Sequence, residues 1–173
     1  MKLTWFGGTT LRIYIGGEIV VVDAAAAPAG VDRGELLAGA DQVVTLGQVP
    51  EINPAFWRNR PAARGIDDVP PLDIHGIGPA ALLIAAAGEP PLVILGSGQP
   101  PQFGRWADEA VIVLTAARDS FIAEATVLLD VARPRLVALA VDEQTLDVAI
   151  AQLSEHLDGA GLVSLEPGLA VEV

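Results

Sequence analysis

Two histidines, His75 and His156, and no cysteine are the whole supply of imidazole and thiol in this chain. A catalytic zinc takes about three protein ligands from His, Cys, Asp and Glu and leaves a position for water. Thiolate sites, thiol nucleophiles and disulfides are excluded, so the cysteine count does not constrain the redox compartment. A metal site would have to rest on carboxylates. Glu51, Asp23 and the neighbours Asp67 and Asp68 are the candidates, and such a set suits magnesium or calcium, which prefer oxygen ligands. That chemistry needs a convergence that spacing alone does not supply, and the plain reading of Asp67 and Asp68 is a solvated loop. Ser97, in "LGSGQ", is the candidate nucleophile. It lacks the Gly-x-Ser-x-Gly spacing of a nucleophile elbow, and only His75 or His156 could act as its base. The flanking glycines read more simply as a turn at a strand end. His75 falls in a Gly/Pro-rich loop and His156 on the last helix beside an apolar stripe, so each is expected to have an ordinary surface or packing role.

The elements that would position these residues begin with strands. "KLTWF" and "LRIYI" alternate, and Gly16-Gly17 makes a tight turn into "EIVVVD", giving an N-terminal antiparallel meander. A loop with a helical turn follows. "DQVVTL" is a continuous apolar run, expected to be a strand buried on both faces. Residues 53–79 are irregular: a short helix broken at Pro61, then loop. "AALLIAAA" and "PLVILGSG" form a hairpin across "GEPP". "EAVIVLTA" is a strand, and Asp119 or Ser120 can cap the helix that stops before Pro134. "RLVALAV" is the next strand, and Asp142 can cap the helix after it. There Leu146, Ile150, Leu153 and Leu157 recur at helical spacing, with Gly159 fitting the end. "LVSLEPGLAVEV" reads as a closing hairpin around Pro167-Gly168.

Composition sets the outer limits. The chain has 173 residues, of which 51% are hydrophobic and 5% aromatic, with 18 glycines and 13 prolines. That mix fits one folded domain over residues 1–173 with many turns, and not disorder. The formal net charge is -12, and Lys2 is the only lysine. A chain this acidic, with no basic stripe, is not expected to bind nucleic acid. No apolar run approaches the roughly 20 residues of a membrane helix, and no signal-peptide pattern opens the chain, so the expected setting is cytoplasmic.

In order along the chain these motifs resemble the metallo-β-lactamase-fold hydrolases. The similar branch contains ascorbate-phosphate lactonase-like and predicted zinc-dependent enzymes. "MKLTWFGGTTLRI…EIVVVDA" resembles the family's opening: Gly7 matches its glycine, Gly8 stands where histidine is usual, Asp23 matches its aspartate and Ala24 replaces its proline. "ADQVVTLGQVPEI" is similar to the strand leading into Thr-His-x-His-x-Asp-His. Thr45 matches the threonine, Leu46 and Gln48 fall on the first two histidines, Pro50 on the aspartate and Glu51 on the last histidine. "LVILGSGQP" resembles the strand ending in Gly-Asp, with Ser97 on the metal-bridging aspartate. Glu124 and Ala125 match a helical Glu-Ala, and "ARPRLVALAVDE" resembles the strand ending in Pro-x-His, with Leu139 and Val141 in those places. The likeness covers residues 1–52 and 80–173. The middle departs from it, and no equivalent of a histidine usually carried there is visible.

The resemblance implies an α+β fold, a four-layer αββα sandwich, here shortened. It also implies zinc or manganese in the family, and a chain whose metal ligands are gone. No cofactor is expected. The vestigial pocket would comprise Gly8, Thr9, Thr10, Leu46, Gln48, Glu51, Ser97, Gly98 and Val141, with no catalytic and no metal-binding residue. Leu46, Val49 and Val141 would plug it, and backbone N–H groups with the threonine and serine hydroxyls could cradle a small anion or polar metabolite. The expected function is an inactive scaffold for a small molecule or a protein partner, with self-association left open. The alternative is a residual metal-dependent hydrolase of the lactonase or phosphoester type on a rearranged carboxylate site. If residues 53–79 lie over the pocket as a lid, Phe56 and Trp57 are its anchors.

Overall fold

A computed structural model describes residues 1–59, 70–115 and 121–173. Strands β1 (Lys2–Gly7), β2 (Thr10–Ile15) and β3 (Glu18–Val22) form an antiparallel meander. Leu3, Trp5, Leu11, Ile13 and Ile15 are buried, while Lys2, Arg12 and Tyr14 alternate with them on the other face, as a two-residue period requires. Gly16 and Gly17 turn β2 into β3 with φ of 59° and 86°, the pair of positive values that matches strand twist in a two-residue hairpin. Strand β4 (Gln42–Val44) adds parallel to β3. The last strand, β11 (Ala170–Glu172), adds antiparallel to β1. The first sheet therefore runs β11-β1-β2-β3-β4.

The second sheet holds β5 (Asp73–Gly78), β6 (Ala81–Ala85), β7 (Leu92–Leu95), β8 (Val111–Thr115), β9 (Leu136–Ala140) and β10 (Gly161–Ser164), in the order β10-β9-β8-β7-β6-β5. β5, β6 and β7 are antiparallel, and β7 through β10 run parallel. Every residue of β6, β7 and β8 is buried, which explains their unbroken apolar runs. Leu82, Ile84, Ile94 and Val113 join Leu11 and Ile13 in the core between the sheets. Leu83, Val93, Ile112 and Val137 form a second core with helices α2 (Phe121–Val131) and α3 (Glu143–Leu153). Asp142 caps α3, accepting from the Thr145 N–H and hydroxyl, each at 3.0 Å.

The result is a mixed α/β chain of two sheets with few helices. Among the described residues the outer face of the first sheet carries no full helical layer. It carries α1 (Arg33–Leu37), a single turn capped by Asp32. Arg12 on β2 donates to the Leu36 and Ala38 carbonyls, each at 2.6 Å, and so satisfies the open end of that turn. No helix among the described residues is long and apolar enough to cross a membrane.

Several expectations from sequence are corrected. β10 and β11 are not a hairpin, because they belong to different sheets. Residues 165–169 carry the chain across, with Leu165 N–H donating to the Leu139 carbonyl and Gly168 N–H to that of Trp5. β4 is an edge strand whose Val43 is 55% exposed, not a doubly buried one. Residues 53–79 are not wholly irregular, since β5 lies within them and carries His75. His75 pairs opposite Leu83 and so faces the helix side. In the apolar stripe of α3, Leu146, Leu153 and Leu157 pack on the helix-side core as expected, but Ile150 is exposed and Ala149 is buried instead. His156 lies past the helix end, exposed. The described residues 53–59 contain no helix. Pro61, Asp67, Asp68, Asp119 and Ser120 lie outside the described residues.

Candidate functional site

One end of the sandwich gathers the exits of β3, β4, β7 and β9, the carboxyl-end position where α/β sheets hold ligands. Asp23, directly after β3, organises it. The residue is buried and left-handed, with φ 51°, a conformation that costs roughly 1–2 kcal/mol for a non-glycine and that Asp tolerates better than most. Five hydrogen bonds offset that cost, one of them from the Ala26 N–H to the Asp23 carbonyl at 2.9 Å. Its N–H donates to the Val44 carbonyl at 2.9 Å, and its carbonyl accepts from the Thr10 hydroxyl at 3.0 Å. One carboxylate oxygen accepts from the Thr9 hydroxyl at 2.6 Å and the other from the Leu46 N–H at 2.8 Å. The carboxylate thus ties three chain segments together.

Beyond Leu46 the stretch "TLGQVPEI" crosses from the edge of the first sheet to the edge of the second. Leu46 and Val49 pack against the core between the sheets. Gly47 has φ 72°, and a Cβ there would sit 2.8 Å from the Pro79 carbonyl oxygen. Glu51 then bridges Gly76 on β5: Gly76 N–H donates to the Pro50 carbonyl at 3.0 Å, and Ile52 N–H to that of Gly76 at 2.9 Å. The segment is a strap that closes one open side of the sandwich. Its backbone pairing, not its side chains, explains the lack of chemistry in its sequence.

Next to the strap lies a groove. Gly96 N–H donates to the Ala80 carbonyl at 2.7 Å, so the β5–β6 turn and the β7 exit loop form its two walls. The groove has a volume of about 350 Å³ and includes Pro79, Ala80, Leu95, Ser97 and Gln99 in its lining, with no ionisable side chain among the described residues. Beside it a smaller cavity of about 20 Å³ reaches Thr115, Phe121 and Glu124, room for about one water. Gly98 N–H donates to a Glu124 carboxylate oxygen at 3.1 Å across its mouth.

The nine sequence-derived pocket residues divide into five groups. Thr9, Thr10 and Leu46 meet at Asp23, and Ser97 and Gly98 line the groove. Gly8 is exposed, and its carbonyl accepts from the Trp5 indole N–H at 2.9 Å. Gln48 and Glu51 are exposed on the strap, and Val141 is buried in the helix-side core. Leu46 and Val49 therefore share one core and Val141 belongs to the other, so the three do not form one plug. Pro79, Ala80 and Gln99 were missed. The signal for Pro79 and Ala80 is the Gly-Pro turn in "GIGPAALL", and that for Gln99 is its place after the Gly-Ser-Gly turn at the β7 exit. Phe56 is 77% exposed. Trp57 packs edge-on against Trp106 at 4.9 Å, on the helix side.

The zinc or manganese implied by the resemblance does not fit this donor set. Among the described residues no group of three or more His, Cys, Asp or Glu side chains converges, and both Asp23 oxygens are already engaged.

No family model matches the sequence, and no curated protein does. Solved structures do match in three dimensions. An isothiocyanate hydrolase from Delia radicum gut bacteria aligns over 100% of this chain and 99% of its own, at 15% identity and a TM-score of 0.59. Igni18, a metallo hydrolase from the hyperthermophilic archaeon Ignicoccus hospitalis KIN4/I, aligns over 99% of this chain and 98% of its own, at 15% identity and a TM-score of 0.61. Both are hydrolases, and what this chain shares with them is a metallo-hydrolase-like fold.

Proposed function

We propose that this chain is a binding protein built on the four-layer metallo-hydrolase plan with its fourth layer reduced to α1. In this reading it holds a small uncharged ligand in the groove between the β5–β6 turn and the β7 exit loop. The observation that carries the reading is the groove's lining, about 350 Å³ of space with no ionisable side chain among the described residues. Such a wall has no general acid or base and no metal ligand, yet its volume lies within the range of small-molecule sites. It narrows the expected ligand from a small anion or polar metabolite to a neutral polar molecule. A charged ligand would lose hydration there without gaining a partner. The Ser97 hydroxyl and the Gln99 amide would fix the ligand's orientation. The residual-hydrolase reading has less support, because Glu51 is held on the strap and the Asp23 carboxylate is spent on Thr9 and Leu46.

The test is a ligand-observed NMR screen with neutral, anionic and cationic fragments of matched size, run on the wild-type protein and on Ser97→Trp. Neutral fragments should bind the wild type and be lost from the variant, whose circular dichroism should be unchanged. Preferential binding of anions, or hits that persist in Ser97→Trp, would overturn the reading.

A further inference from the structure

The two sheets are dressed unequally. The second has α2 and α3 across its outer face, and the first has one helical turn. The rest of that face surrounds a groove of about 340 Å³ lined by Lys2, Thr4, Arg12, Tyr14 and Ile19. Register sets Lys2 opposite Tyr14 and Tyr14 opposite Ile19, with Thr4 opposite Arg12 in the next row. That second row continues through Val21 to Val43. Tyr14 is 52% exposed, as Val43 largely is. Among the described residues Lys2 and Arg12 are the groove's only charged lining residues, and Glu172 stands opposite Lys2 at the sheet margin.

The helical layer has the opposite character. Neither α2 nor α3 contains a basic residue. Asp130, Glu143 and Asp147 are exposed on it, together with Val127, Val131 and Val148. Two copies of the chain could meet in three ways. Sheet against sheet sets Lys2 and Arg12 on themselves. Helices against helices set three carboxylates on themselves. Sheet against helices sets Lys2 and Arg12 against Asp130, Glu143 and Asp147, and it also covers Tyr14 and Val43 with valines.

We propose that the outer face of the first sheet docks the α2–α3 layer of a second copy, which supplies in trans the helical layer that α1 only begins. The contact is head-to-tail, so it builds rings or filaments and not a two-fold dimer.

Sedimentation velocity of the full chain over a concentration series tests this, using wild type, Lys2→Glu, Asp147→Lys and an equimolar mixture of the two variants. Both positions are exposed and lie outside the ligand groove. Wild type should self-associate, and less so in about 0.5 M salt, which screens charges beyond a few ångströms. Each variant alone should associate about tenfold more weakly or not at all, because a like-charged pair then replaces the pairing of residues 2 and 147 at every contact. The mixture should regain association, since opposite charges again meet at every contact. Val131→Ser, which alters no charge, should weaken association as well. A wild type that stays monomeric throughout, association that survives either charge substitution, or a mixture no better than its components would overturn the proposal.

Discussion

The hydroxyl of Thr9 donates to the carboxylate of Asp23 at 2.6 Å, across the β2–β3 hairpin. The second oxygen of the same carboxylate takes the Leu46 N–H, which begins the strap between the sheets. Asp23 is therefore a structural knot at the place where the fold would set its chemistry. Hydrogen bonds to a charged acceptor are worth roughly 1.5–3 kcal/mol each, and a buried donor left alone costs more than its bond returns. Asp23→Ala is expected to lose roughly 3 kcal/mol in urea unfolding, and Thr9→Val roughly 1 kcal/mol, with unchanged denaturant slopes.

The strap depends on close backbone approach. A Cβ at Gly76 would lie 2.9 Å from the Val49 carbonyl oxygen and 3.1 Å from the Glu51 side chain. Backbone cannot yield as a flexible side-chain tip can, so Gly76→Ala should cost roughly 2 kcal/mol. Hydrogen exchange should quicken first in residues 45–52, before the β6–β8 core opens.

Phe56 and Trp57 are neighbours with opposite fates. Phe56 is exposed, while Trp57 sits edge-on to Trp106, whose indole N–H donates to the buried Pro54 carbonyl at 2.7 Å. Thermal melts should separate them: Phe56→Ala should stay within about 0.5 kcal/mol of wild type, and Trp57→Ala should lose roughly 2 kcal/mol or more. Neither substitution should alter fragment binding at the groove, which would be altered if these residues closed over it.

The carboxyl of Asp142 is held below its ordinary value, first by the Thr145 N–H and then by the Thr145 hydroxyl. A depressed folded pKa means that the cap's contribution is fully present above the unfolded value and is lost as pH falls through the folded one. Asp142→Ala should therefore be less stable than wild type at neutral pH, and the two should converge as acid protonates the cap. Stability curves measured from pH 7 down to the acid transition check the sign.

Much of this fold was legible in sequence because period and punctuation agreed. The β1–β3 alternation, the Gly16-Gly17 turn and the Asp142 cap each act locally, and local signals survive in a string of residues. What failed was long-range. β10 and β11 satisfy every hairpin signal, yet Pro167-Gly168 carries the chain between sheets because Leu139 and Trp5 supply the backbone acceptors. β5 was hidden because its glycines, Gly76 and Gly78, read as loop when one of them in fact admits the strap. At the site, the residue types at Leu46, Gln48 and Val141, none of them His, Cys, Asp or Glu, could be read directly. Which of those positions share a cavity could not, because sheet order decides that.

Elemental analysis tests the central claim most directly. Tag-free protein is assayed as isolated, and again after incubation with zinc, manganese and magnesium followed by desalting. The account predicts far less than one metal per chain in every sample, with no change in melting temperature on metal addition. One or two tightly retained metals per chain would contradict it and return the corner at Asp23 and Glu51 to hydrolytic chemistry.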